Sequence, residues 1–291
     1  MAKPVSIRLL SVAFFVMAIC FTIPLSLFAQ GGHGPAFGLA TPTAGQGAIS
    51  ADIMTMSLSM MDERSLMSRA SVRYGLTPDI MLNFSVPFDL YSGPMDTFVP
   101  RTRGGTMMGG FGDMEVMALW RFHKQFPGVG KRFESTLLLS GLYPTSSERG
   151  GVGAGPGVHA AVVTGYASRT VYAWGGAGYQ GHTKSGDDQL GGLYYVSAVA
   201  AWRPPIFAAD YPAPDWRIFI EALGERSQRD VVAGEKVPDT GGDKLLVGPS
   251  VLGLYGAWGV SLGVLFPVYQ DLNGPVHAER ARLSMNISLF F

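Results

Sequence analysis

Five histidines, one cysteine and fourteen methionines are the residues of this 291-residue chain whose chemistry reaches beyond packing. Nucleophilic hydrolysis needs a serine and a histidine within hydrogen-bond reach and a third group to orient the ring. His159 lies among alanines, with Thr164 and Ser168 toward the far end of its segment, and His182 shares a loop with Ser185. His33, His123 and His277 have no such neighbour in the sequence, so loop histidines outweigh a hydrolase. Thioethers suit Cu(I), and Met54, Met56 and Met60 recur on one face of a segment, with Met61, Met67, Met95, Met107, Met108, Met114 and Met117 following. Adaptable apolar packing explains the same residues. No metal ligand set and no cofactor site emerges.

The glycine motifs carry no nucleotide chemistry. Gly176-Ala177-Gly178-Tyr179-Gln180-Gly181 matches a dinucleotide fingerprint by letters, but it lies inside an alternating segment and leads to a charged loop instead of a helix. The glycine-rich run 150–157 lacks the Lys-Ser/Thr ending of a phosphate loop and reads as a flexible connection. Strand glycines such as Gly175, Gly176, Gly178, Gly259 and Gly263 relieve crowding in a wall or bend it.

Composition narrows the class. The single cysteine, Cys20, belongs to a leader: Lys3 and Arg8 precede ten apolar residues from Val12 to Phe21, and Leu27-Phe28-Ala29 offers a small residue for cleavage after Ala29. That is the pattern of a secretory signal peptide. The rest is thiol-free and carries two more acids than bases, so disulfides, thiolate metal sites and nucleic acid are excluded as themes. Glycine at 39 residues is roughly double the usual ~7%, and charged residues at 15% fall below the usual ~25%.

Beyond residue 30 the ruling pattern is period-two alternation. In the last segment Ala281, Leu283, Met285, Ile287, Leu289 and Phe291 oppose Arg280, Arg282, Ser284, Asn286 and Ser288. Twelve strands are predicted, over 46–61, 65–74, 79–91, 110–122, 132–143, 156–166, 169–181, 190–202, 215–227, 243–254, 257–268 and 279–291. Their length suits a tilted bilayer crossing, and their even number suits a closed antiparallel barrel with both termini on one side. Short turns at 75–78, 166–168 and 255–256 alternate with longer loops, including 144–155 and 269–278, while 123–131 and 203–214 break that rule as proline-bearing links. Tyr74, Phe122, Tyr143, Tyr179, Trp202, Trp216 and Phe266 fall near strand ends, as interfacial girdles require. The fold class expected is therefore an all-β, closed antiparallel transmembrane barrel, with 30–45 as an N-terminal periplasmic or lumenal segment and 46–291 as the barrel.

An arginine facing lipid at mid-depth costs about 2–4 kcal/mol. The charges on the polar faces, Arg69, Arg73, Glu115, Arg121, Glu134, Arg217, Glu221, Arg280 and Arg282, are therefore expected to face the lumen. Their mixed signs favour ion pairing over an open aqueous path. Segment 30–45 and loop 92–109 are candidates to fold inward.

The stretch Phe266-Pro267-Val268-Tyr269-Gln270-Asp271-Leu272-Asn273-Gly274-Pro275 resembles the outer-membrane barrels of the MetA-pathway-of-phenol-degradation family. Gly248-Pro249, Gly110-Phe111-Gly112-Asp113, Tyr74-Gly75-Leu76-Thr77-Pro78 and Ala40-Thr41-Pro42 extend the likeness, and Phe291 resembles the terminal aromatic that barrel-assembly machinery reads. The resemblance implies a bacterial outer-membrane channel or transporter for small, hydrophobic or aromatic cargo, with lipid and the assembly machinery as partners. It implies no catalytic residue. The alternatives are a non-conducting barrel that binds or helps export soft metals, and an outer-membrane lipid hydrolase.

Overall fold

The computed structural model describes residues 34–60, 63–94, 113–145, 148–149, 152–207, 213–274 and 278–291. The leader, Met61, Met95, Met107, Met108 and most of loop 92–109 lie outside the described residues. Sixteen strands occur among the described residues. The first eight are β1 (Ile49–Met60), β2 (Glu63–Gly75), β3 (Ile80–Pro94), β4 (Asp113–Gly128), β5 (Lys131–Pro144), β6 (Glu148–Arg149), β7 (Val152–Gly153) and β8 (Gly157–Ala167). Then come β9 (Val171–His182), β10 (Leu193–Trp202), β11 (Asp215–Ser227), β12 (Val231–Val232), β13 (Glu235–Lys236), β14 (Gly242–Tyr255), β15 (Trp258–Leu272) and β16 (Glu279–Phe290).

Two short pairs, β6–β7 and β12–β13, are loop hairpins. The other twelve strands close into one antiparallel barrel, sealed where β1 pairs with β16 from Ser50↔Phe290 to Met60↔Glu279. The backbone of Phe291 exchanges hydrogen bonds with Ile49, so the end of the barrel lies beside the start of its first strand. Connections at that end, the short-turn end, are short apart from the link 203–214; those at the opposite, long-loop end are longer apart from the two residues between β1 and β2.

Alternation decides which side chain goes where. On β10 every second residue, from Leu193 to Ala201, is buried, and the residues between them are exposed. The outward set forms an apolar belt around the wall: Ile53, Phe84, Val116, Leu139, Val196 and Ile220 are among its exposed members. Hydroxyls on this face partner each other, as in Thr55 with Ser68 at 2.8 Å and Ser135 with Thr164 at 2.9 Å, so the belt hides its polar atoms.

Two predicted links are corrected. Residues 123–128 continue β4, and the turn to β5 is only Val129-Gly130, with Gly130 at φ 67°. This hairpin runs past the end of β3, whose register with β4 stops at Ile80↔Trp120. His123 to Gly128 are exposed on both faces, which erased the alternation and made the segment look like a loop. Likewise β15 runs on to Leu272, into the predicted loop 269–278. The link 203–214 holds, with a single 3-10 turn at Pro205–Phe207.

The inside of a twelve-strand barrel is wider than the eight-strand case that side chains alone fill. Here residues 34–47 enter it. Phe37 and Ala36 are buried with Leu265 and Leu246, and Thr41, Thr43 and Ala44 are buried further along. Glycines on the inner wall make the room: a Cβ on Gly263 would meet Phe37 at 2.6 Å, and one on Gly176 would meet Leu39 at 2.8 Å.

Candidate functional site

The site is the barrel interior, and it divides into three tiers. At mid-depth Glu221 of β11 is buried and accepts hydrogen bonds from the backbone N–H groups of Ala36 (2.9 Å), Phe37 (2.9 Å) and Gly38 (2.6 Å). Ser250 of β14 also donates to it. A carboxylate on a strand thus holds the turn of a segment more than 180 residues away in sequence, through charge-assisted bonds each worth about 1.5–3 kcal/mol. Leu39 N–H donates to Ser197 Oγ at 3.2 Å, Trp174 Nε1 donates to Thr41 Oγ1 at 3.0 Å, and Thr136 Oγ1 donates to the Thr41 carbonyl at 2.8 Å. Strands β5, β9, β10 and β11 therefore all grip the segment, and β14 braces Glu221 through Ser250.

Toward the long-loop end the charges are matched. Arg282 of β16 binds both carboxylate oxygens of Glu225 on β11 (2.8 and 2.9 Å) and both of Glu279 (2.8 and 2.9 Å). Lys244 Nζ lies 3.3 Å from Glu279. On the other wall Glu115 of β4, fully buried, meets Arg69 of β2 at 3.3 Å, Ser140 at 2.7 Å and His159 Nδ1 at 3.3 Å. The other ring nitrogen of His159 lies 2.5 Å from the Tyr195 hydroxyl. His182 Nε2 sits 2.8 Å from buried Asp113.

Toward the short-turn end lies a cavity of about 850 Å³. Its inner wall is aromatic: Tyr172 stacks on Trp174 at 5.5 Å, Trp174 faces Phe219 at 6.5 Å, and the Arg217 guanidinium sits over Tyr172 at 5.2 Å. Arg217 and Arg203 share one carboxylate, Asp215, at 3.0 and 2.8 Å. Arg121 bridges Asp79 and Glu134, both at 2.9 Å, and Arg132 and Lys124 approach the same two acids. In the turn outside the wall, hydrogen bonds from Lys124 and Arg121 hold the Asp79 carboxyl below its usual range.

Glu115, Glu134, Glu221 and Arg282 are buried inside, and Arg69, Arg121 and Arg217 join them through partners across the interior. Arg73 pairs with buried Asp52 at 3.5 Å. Arg280 is exposed: the β1–β16 register shifts between Ser59 and Met60, leaving Arg280 as the extra residue, and Glu279 takes the inner position. The sequence marked His159 only as a histidine without a catalytic partner, and it left Glu225, Asp215, Tyr195 and Trp174 unmarked as site residues. For Glu225 the signal was present, since it shares the parity of Glu221 and Arg217 on β11.

The catalytic and metal alternatives find little geometry. Among the described residues neither His159 nor His182 has a serine hydroxyl on its ring, and no group of three or more His, Cys, Asp or Glu is placed to hold a metal. Met56, Met67, Met81 and Met117 are buried in one interior apolar cluster, and Met81 Sδ accepts from Ala44 N–H at 3.2 Å. They line the passage of the N-terminal segment as packing.

No protein-family model and no curated protein matches this chain. Solved structures do. An outer membrane channel from Pseudomonas putida F1 superposes with a TM-score of 0.61 at 10% identity, over 86% of this chain and 97% of that one. The NanC porin gives a TM-score of 0.50 at 8% identity, over 82% and 98%. At such identities the likeness is one of fold, and it agrees with the strand count and closure above: the chain is a closed twelve-stranded barrel of the outer-membrane type.

Proposed function

We propose that this protein is a bacterial outer-membrane conduit for small, hydrophobic or aromatic molecules, closed at rest by residues 34–47. In this reading the leader is cleaved after Ala29, the short-turn end faces the periplasm, and the chain inserts through machinery that reads Phe291. The resemblance to the phenol-degradation barrels belongs to the same proposal. The observation that carries it is the pairing of a continuous apolar belt outside with an interior shut by a short segment that is not part of the wall and is held to it by side-chain hydrogen bonds. A general-diffusion porin keeps a water-filled path, whereas here ion pairs, aromatic rings and the segment occupy the lumen. Passage then requires the segment to leave Glu221.

Because the mature chain has no cysteine, a disulfide can lock the segment without ambiguity. The double variant Leu39→Cys with Ser197→Cys joins two positions already in hydrogen-bond contact. Cells with an intact lipopolysaccharide outer leaflet and expressing the wild type should accumulate radiolabelled toluene faster than cells lacking it. The oxidised double variant should lose that gain and recover it on reduction. Planar-bilayer conductance of the folded wild type should be small, and should rise in Glu221→Gln. Large steady conductance from the wild type, or uptake indifferent to the lock, overturns the reading.

A further inference from the structure

The short-turn cavity has more positive charge than its structural pairs consume. Six cations line it, Arg121, Lys131, Arg132, Arg169, Arg203 and Arg217, and the acids that pair with them or with nearby Lys124 are three, Asp79, Glu134 and Asp215. Two arginines share Asp215, and three cations share Asp79 and Glu134. Lys131 and Arg169 have no ion pair among the described residues. A buried Nε of Arg217 also has no hydrogen-bond partner. Ion pairing for stability alone would bring the signs into balance, as it does in the Arg282 network at the long-loop end; an excess of cations around a hollow is suited to an anion that enters from outside.

The rest of the cavity fixes what kind of anion. Tyr172 and Trp174, 8% and 4% exposed, line the cavity together with Leu254 and Ala167, and Arg217 lies over the Tyr172 ring. With these rings packed on each other and on Phe219, the lining offers an apolar rim instead of a free ring face, beside which a carboxylate can take the guanidinium edge, where arginine offers paired donors. The volume of about 850 Å³ is within the range of about 300–1,000 Å³ usual for small organic ligands. We propose that the short-turn cavity is a binding site for small organic carboxylates, with Arg217 and Arg203 as carboxylate ligands and the apolar lining around Leu254 and Ala167 taking the rest of the molecule. The inference deepens the conduit reading and rests on it only for which compartment the mouth faces. Equilibrium binding needs no transport, so the two can fail separately.

The test is equilibrium dialysis of radiolabelled benzoate against the folded full-length mature chain in a non-ionic detergent, with heat-shifted gel mobility as the folding check. Saturable binding is expected, and Arg217→Met should weaken it at least tenfold while keeping the arginine's aliphatic stem. Arg203→Gln, on the link outside the strands, should weaken it as well and covers the case in which Arg217→Met does not fold. Neutral benzamide should not compete, and Arg226→Met at the long-loop end should bind as the wild type does. Absence of saturable binding, equal competition by benzamide, or displacement by chloride at the same concentration as benzoate would overturn the proposal. So would benzoate binding untouched by both variants. If instead Lys131→Gln with Arg169→Gln releases the protein from phosphatidylglycerol vesicles while benzoate is ignored, the excess charge serves a lipid surface and the carboxylate site falls.

Discussion

The two ends of the barrel interior treat charge in opposite ways. At the long-loop end Arg282 meets Glu225 and Glu279 with near-ideal forked geometry, and Lys244 completes a neutral set. At the short-turn end six cations line a hollow, and only three acids, Asp79, Glu134 and Asp215, pair among them and Lys124. The first arrangement satisfies every partner internally, so its contribution is to the wall: it ties β16 to β11, which are separated in the barrel by β14 and β15. The second leaves donors over. Buried charge that is fully paired holds a shape, while charge left in excess beside a cavity is available to something that arrives. Between them Glu221 does neither, because its partners are backbone N–H groups of a segment that is not part of the wall.

The largest expected effect breaks the matched end. Arg282 is 3% exposed, and Arg282→Met would leave Glu225 and Glu279 buried without their common cation. Removing one partner of a buried pair costs about 3–5 kcal/mol, most of it from the stranded charge. Urea unfolding in detergent micelles, followed by tryptophan fluorescence and heat-shifted mobility, should show a loss of that size or a barrel that does not fold. Adding Glu225→Gln to Arg282→Met should recover part of the loss, since one of the two stranded charges is then removed. A variant within about 1 kcal/mol of the wild type would mean that the network does not brace the wall.

What the sequence reveals follows the same division. Alternation, helped by turn residues at 46–61, 156–166, 190–202 and 243–254 where small or apolar residues occupy both faces, located the twelve barrel strands, because one face of each meets an apolar surrounding and the other a crowded interior. It failed where that contrast ends. His123–Gly128 stands beyond the rim with both faces in solvent, and Arg280 is displaced by a bulge that parity cannot foresee. The acids and bases of the inner faces were legible one by one, but their pairing was not. Glu225 reaches Arg282 across 57 positions of chain and two intervening strands. The aromatic wall was illegible for another reason: Tyr172 and Trp174 sit in a strand whose two faces carry glycines and alanines, so neither face announces itself as the inner one.

A middle-sized effect sharpens the contrast at the short-turn end. Arg121→Met removes the cation that joins Glu134 to Asp79, yet Glu134, only 2% exposed, keeps Arg132 at 3.4 Å and the Thr41 hydroxyl at 3.3 Å. With that redundancy the expected cost is about 1–2 kcal/mol, below that of Arg282→Met, because the remaining partners still compensate the buried carboxylate. Thr41 belongs to the plugging segment, so a weakened Glu134 site should also raise the frequency of brief openings in bilayer recordings. A loss matching Arg282→Met would erase the distinction between a redundant end and a matched one.

The smallest effect lies outside the wall and depends on pH. Asp79, in the turn between β2 and β3, has its carboxyl held below its usual value first by the hydrogen bond from Lys124 and then by that from Arg121. A carboxylate depressed in the folded protein stabilises it fully above the unfolded value of about 3.9 and ceases to do so as pH falls through the lower folded value. The turn should therefore be unaffected from neutral pH down to about 4 and loosen only below that. Asp79 is 36% exposed, so solvent screening keeps the contribution under about 1 kcal/mol. Hydrogen exchange at the Arg121 amide, which donates to the Asp79 carbonyl at 2.8 Å, reports the change locally. In Asp79→Asn the protection below pH 4 relative to pH 6 should no longer fall beyond what intrinsic exchange accounts for. If the wild type shows the same flat profile, the lysine and arginine at this rim are not held by Asp79 and count in full toward the excess charge of the mouth.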